Sequence, residues 1–211
     1  SLLLGAADIL SICARSPGLH ELSLSRSHVV GADSDWYQQL VALIPHLRMM
    51  EPEISTIVSN TTIKAFVTHC RQLQNINLRF TYLTCTDTIA AIASNCPALQ
   101  ILVLFQVLSP HRSVVTENLV MLAHNCPDLE QLTLGYCAVT QHALNELARR
   151  YSKLTLLSYF SAGADLSGAM TSLAAGKIAE FEVMVRPMSG LQALGAEMAQ
   201  RLAPFLAAAK G

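Results

Sequence analysis

Charged residues are scarce in this chain. They make up 14% of its 211 residues, where an ordinary soluble domain carries about 25%. Hydrophobic residues make up 52%, which excludes disorder for most of the chain, because disordered segments are charged and poor in aliphatics. No basic excess exists either: 14 Lys and Arg stand against 15 Asp and Glu, a formal net charge of −1. Duplex nucleic-acid binders carry such an excess, so no nucleic-acid partner is expected. No apolar run reaches the roughly 18 residues of a membrane span, so no membrane partner is expected. The six cysteines, at 13, 70, 85, 96, 126 and 137, contain no C-x-x-C pair, so zinc-ribbon and thioredoxin-like readings fail on spacing. The chain is too long and too aliphatic to need disulfide staples. Free thiols in an intracellular, reducing compartment, cytoplasm or nucleus, are expected.

Catalytic motifs are missing as well. The sequence holds no Gly-x-Gly-x-x-Gly, no P-loop and no His-Glu-x-x-His. Its seven histidines are scattered without ligand spacing. His69 beside Cys70 and His124 near Cys126 lack the third, orienting group that Cys–His catalysis uses. The expectation is a non-enzyme with no cofactor and no metal site. The opening Ser1–Ala7 is apolar but has no basic residues before it, so it reads as the first helix of a repeat in a cut or processed chain, not as a secretory signal.

What is present is a repeat. Leu-x-x-Leu-x-Leu occurs at Leu19, Leu22, Leu24, again at Leu99, Leu102, Leu104, and again at Leu129, Leu132, Leu134. Weaker copies start at Leu73, Leu154 and Ile178, and a degenerate one at Leu47. The anchors are 28, 26, 26, 30, 25 and 24 residues apart. Ten and seven residues before an anchor stand apolar pairs: Ile9 and Ile12, Tyr37 and Leu40, Ile63 and Phe66, Ile89 and Ile92, Leu119 and Leu122, Leu144 and Leu147. With a small or β-branched residue six before, they form one helical stripe. Pro17, Pro45, Pro97 and Pro127, two residues before their anchors, stop the helices. Each unit is thus helix, short loop, short strand. Asp33 and Asp35 read as an N-cap cluster for the second helix.

The stretch 125–140, NCPDLEQLTLGYCAVT, resembles the cysteine-containing subfamily of leucine-rich repeats, whose pattern is C-P-x-L-x-x-L-x-L-x-x-C. The likeness covers residues 9–160 well and 161–185 poorly. It implies an α/β leucine-rich-repeat solenoid, a horseshoe with parallel strands on the concave face and helices on the convex face, because strands pack about 4.8 Å apart and helices about 10 Å. Residues 1–185 are expected to form about seven repeats, the last degenerate. Residues 186–211 are expected to form a C-terminal capping helix. The subfamily is best known from F-box proteins, the substrate adaptors of ubiquitin ligases. The resemblance therefore implies non-catalytic protein–protein recognition, as by the substrate-recognition part of such an adaptor. The low charge and degenerate edge repeats fit an alternative, a structural subunit packed in a larger multiprotein assembly. Alternate strand residues face the hollow. Its apolar and amide-bearing middle is the candidate partner surface: Arg79, Ile101, Val103, Phe105, Gln131, Leu156 and Phe160. Glutamates at 21, 51 and 53 and at 180 and 182 make both of its ends acidic. The position after each strand, where the subfamily uses Asn or Cys, holds Val107 and Ala162 in two units, so less regular loops are expected there.

Overall fold

The computed structural model describes residues 2–24, 27–33, 35–52, 60–79, 85–105, 116–135, 146–147, 149–151, 156–161 and 180–185. The loops at 107 and 162 and the expected helix at 186–211 lie outside these residues. Along the chain run β1 (Leu2–Gly5), α1 (Ala6–Ala14), β2 (Glu21–Ser23), β3 (Ser27–Val30), α2 (Trp36–Leu43), β4 (Met49–Glu51) and α3 (Asn60–His69). They are followed by β5 (Asn75–Arg79), α4 (Cys85–Asn95), β6 (Ile101–Phe105), α5 (Thr116–Asn125), β7 (Gln131–Gly135), β8 (Leu156–Ser161) and β9 (Glu180–Val185). The helices α1, α2, α4 and α5 each stop two or three residues before a proline, whose ring cannot continue the turn. A three-residue turn follows in each of the first five units. The anchor amides of Leu19, Leu47, Leu73, Leu99 and Leu129 donate to the carbonyls of Ser16, Ile44, Cys70, Cys96 and Cys126, at 3.0 to 3.2 Å.

Seven strands form one parallel sheet in chain order, β2-β4-β5-β6-β7-β8-β9. Parallel neighbours joined through right-handed crossovers place their helices on one face. The units are also tied at the strand entry. His20 carbonyl accepts from the amides of Arg48 and Met49 at 2.6 and 2.9 Å, and Gln100 carbonyl from Glu130 and Gln131 at 2.8 and 3.0 Å. Arg48 and Gln74 carbonyls do the same for the two units between.

The core lies between the sheet and the helices. Ile76, Leu78, Leu102, Leu132 and Leu134 are fully buried, in one cluster with Leu40, Phe66, Ile92 and Leu122 from the helices. Where it is described, the expected helical stripe is thus the buried one; Leu144 and Ala148 lie outside the described residues. Ile12 is the exception: it is 60% exposed. Among the described residues α1 ends the row of helices, with α2 and β1 as its main neighbours, so no described helix covers its other flank. A second correction concerns the chain start. Leu2–Gly5 is a strand, paired in parallel with β3 in a small separate sheet, and the helix begins only at Ala6 because Gly5 is extended, at φ −77° and ψ 134°.

Of the expected cap pair, Asp33 does the capping: its Oδ1 accepts from the amides of Asp35 and Trp36 at 3.1 and 2.8 Å, whereas Asp35, at the N-cap position itself, makes no side-chain capping hydrogen bond. Trp36 Nε1–H donates to Ala6 carbonyl at 3.0 Å, fastening α2 to the start of α1. Its ring meets Tyr37 edge-on, and Tyr37 meets Phe66 the same way, so three aromatic rings link units two and three. Among the described residues no helix is long and apolar enough to cross a membrane.

Candidate functional site

The sheet face turned away from the helices carries the candidate residues. The strands pair in register, so the outward positions form rows across the sheet. One row passes through Asn75, Ile101, Gln131 and Leu156, the next through Asn77, Val103, Thr133 and Ser158, and a third through Arg79, Phe105, Gly135 and Phe160. All seven predicted residues therefore share one face, within four neighbouring strands. Ile101 and Gln131 are half-buried. Val103 is only 9% exposed; it sits in the central strand, flanked in register by Asn77 and Thr133. It offers less surface than an outward position suggests. For Arg79, Phe105, Leu156 and Phe160 the backbone fixes the register position, while their side chains lie outside the description.

Toward the sheet's first edge the same face carries a polar network that sequence reasoning missed. Glu51 accepts from Ser23 Oγ–H at 2.9 Å and from Asn77 Nδ2–H at 3.0 Å. The residues are 28 and 26 positions apart in sequence, the repeat spacing itself, and that was the available signal. One carboxylate thereby joins three consecutive strands. Asn77 Oδ1 is covered and has no partner among the described residues.

The helix side of the molecule carries the thiols. Cys70, Cys96 and Cys126 are fully buried, each three residues before its anchor leucine. They are small hydrophobes with a weak donor, as expected, and two of the donors reach the unit before: Cys70 Sγ–H donates to Ile44 carbonyl at 3.4 Å and Cys126 Sγ–H to Cys96 carbonyl at 3.2 Å. Burial pushes the Cys70 thiol up to about 11 and those of Cys96 and Cys126 up to about 12. Burial also raises Cys13. These groups stay protonated at neutral pH and are poor nucleophiles. All four cysteines described with their side chains are free thiols. In the sixth unit Tyr151 takes the cysteine slot. It is 2% exposed, and its hydroxyl has no partner among the described residues. Desolvation raises its pKa strongly.

The two histidines beside cysteines turn elsewhere. A ring N–H at His69 Nδ1 donates to Ala65 carbonyl at 2.9 Å, and His124 Nε2 accepts from Arg150 Nη1–H at 2.6 Å. Arg150 and Arg149 also hold Glu146, whose carboxyl the hydrogen bond from Arg149 keeps below its ordinary pKa. This exposed cluster ties units five and six on the helix side. Among the described residues no three His, Cys, Asp or Glu side chains converge as metal ligands would. In comparisons with known proteins, no family model matches the chain and no curated protein matches it.

Proposed function

We propose that this chain is a leucine-rich-repeat solenoid of the cysteine-containing type, and that it binds a protein partner on its concave sheet face without catalysing a reaction. The observation that carries this reading is the register of the sheet. Strands β4, β5 and β7 alternate buried core residues with half-buried outward ones, β6 lies between β5 and β7 in the same register, and the outward set is apolar and amide-rich at its centre. Such a face, rimmed by polar groups, suits a protein contact. The closest functional analogy is the substrate-recognition part of an F-box ubiquitin ligase adaptor in a reducing cell compartment.

A structural subunit of a larger assembly is the second reading. It is favoured by Leu3, Ile12 and Val30, large apolar residues 71%, 60% and 49% exposed in the first unit. Affinity capture separates the two. The tagged chain, an Ile101→Asp variant on the sheet face and a Lys64→Glu variant on exposed α3 surface are compared. A partner lost with Ile101→Asp and kept with Lys64→Glu supports recognition on the face, and co-recovery of the cullin linker supports the ligase analogy. A partner kept by both variants and lost with Ile12→Asp supports the assembly reading.

A further inference from the structure

The sheet face is acidic in a way the whole chain is not. At outward register positions of the seven strands stand four glutamates, Glu21, Glu51, Glu180 and Glu182, against one cation, Arg79. The chain overall holds 15 acidic to 14 basic residues. The glutamates are also segregated. Two lie on β2 and β4 and two on β9, with the apolar and amide positions of β5 to β8 between.

Glu51 shows what the first acidic end lacks. It is half-buried, so part of its hydration is gone, yet both of its hydrogen-bond donors, Ser23 and Asn77, are neutral. It has no ion pair with any described residue. A carboxylate offers about four acceptor sites, and two are in use. Beside it Asn77 Oδ1 is a further acceptor without a donor among the described residues. A group that brings several donors and positive charge, a guanidinium or an ammonium, answers both needs.

Resting on the recognition reading above, we propose that the occupant of this face is an extended protein segment with an apolar middle and a Lys or Arg near each end, one basic group seated at Glu51 and Glu21 and the other at Glu180 and Glu182. Six strand intervals of about 4.8 Å separate β2 from β9, roughly 29 Å along the sheet. An extended chain at about 3.3 Å per residue crosses that distance in about nine residues. The basic residues of the segment are therefore spaced about seven to nine apart, around a stretch that covers Ile101 and Val103.

The test is selection from a phage-displayed library of random 12-residue peptides against the full chain. The expected winners carry Lys or Arg at both ends around apolar residues. The best of them, made as a synthetic peptide, binds at least about tenfold more weakly to Glu51→Gln and loses affinity as salt rises from 50 to 300 mM. Glu21→Gln, at an exposed position that bears on no core contact, shifts affinity in the same direction and guards against a Glu51 variant that fails to fold. Winners without basic ends, or winners indifferent to both variants, overturn the proposal. If such winners are still lost on Ile101→Asp, the face binds proteins and only the basic-ended segment is wrong. If they survive Ile101→Asp too, or nothing is selected, the recognition reading falls with it.

Discussion

Leu132→Ala is the sharpest probe of the repeat register. Leu132 is fully buried in β7, between Leu102 of β6 and Leu157 of β8 in register. The change removes three carbons, worth about 2.4 kcal/mol of transfer free energy at about 0.8 kcal/mol each. A cavity cost adds to this, because strands held by hydrogen bonds on both sides cannot close in on the gap. The expected loss is about 3 to 4 kcal/mol, within the range of buried Leu→Ala changes. Gln131, one residue earlier, is half-buried on the other face, and Gln131→Ala should cost below about 0.5 kcal/mol, as surface changes do. Equilibrium urea unfolding of both variants, followed by far-UV circular dichroism with reductant present, reads the difference from the midpoints. Equal costs would refute the register, since a one-residue slip exchanges inside for outside.

The buried thiols make stability depend on pH. Cys70, Cys96 and Cys126 have folded values of about 11 to 12 against an ordinary 9.0. Between these values the unfolded chain gives up thiol protons that the folded chain keeps, so their contribution is whole below pH 9 and lost as pH rises toward 12; a urea midpoint that stays flat from pH 9 to 11 would contradict this. Alkylation in denaturant, followed by intact mass, should count six reactive cysteines with or without prior reduction; a pair protected until reduction would reject the reducing compartment. Asp33→Ala removes the acceptor for two amides at the start of α2 and should cost about 0.5 to 2 kcal/mol in urea unfolding, with no change expected for a helix that is not capped there. Tyr151→Phe deletes a buried hydroxyl that lacks a partner among the described residues and should leave the melting temperature unchanged or raise it; a clear fall would reveal an acceptor for that hydroxyl.

The sequence was most readable where a residue's role repeats. The anchors, the helical stripe and the proline stops recur every 24 to 30 residues, and each is a local pattern with one physical cause, so helices and strands of the middle units fall where expected. What escaped is what happens once. The run Leu2-Leu3-Leu4 suits a helix start or a strand equally, and only pairing with Ser27–Val30, 25 residues on, decides for the strand. Ile12 follows the stripe in sequence but has no neighbouring helix to cover it among the described residues. Of the candidate site, the shared face of all seven residues was legible from strand alternation. The depth of Val103 was not, because alternation assigns a residue to a face and does not say how far its surroundings cover it. Nor was the Ser23–Glu51–Asn77 bridge, since alternation says which side a polar residue faces and not which partner it reaches.

On the proposed recognition role, the outward face of the sheet serves binding and the inward face serves folding. Phe105 closes the central strand β6, at the register position between Arg79 and Gly135. The most direct test is to measure partner recovery and melting temperature together on Phe105→Ala. The expected result is partner binding weakened by at least about 2 kcal/mol, as at an interface hot spot, with melting nearly unchanged. A destabilised protein that still binds its partner normally would contradict it.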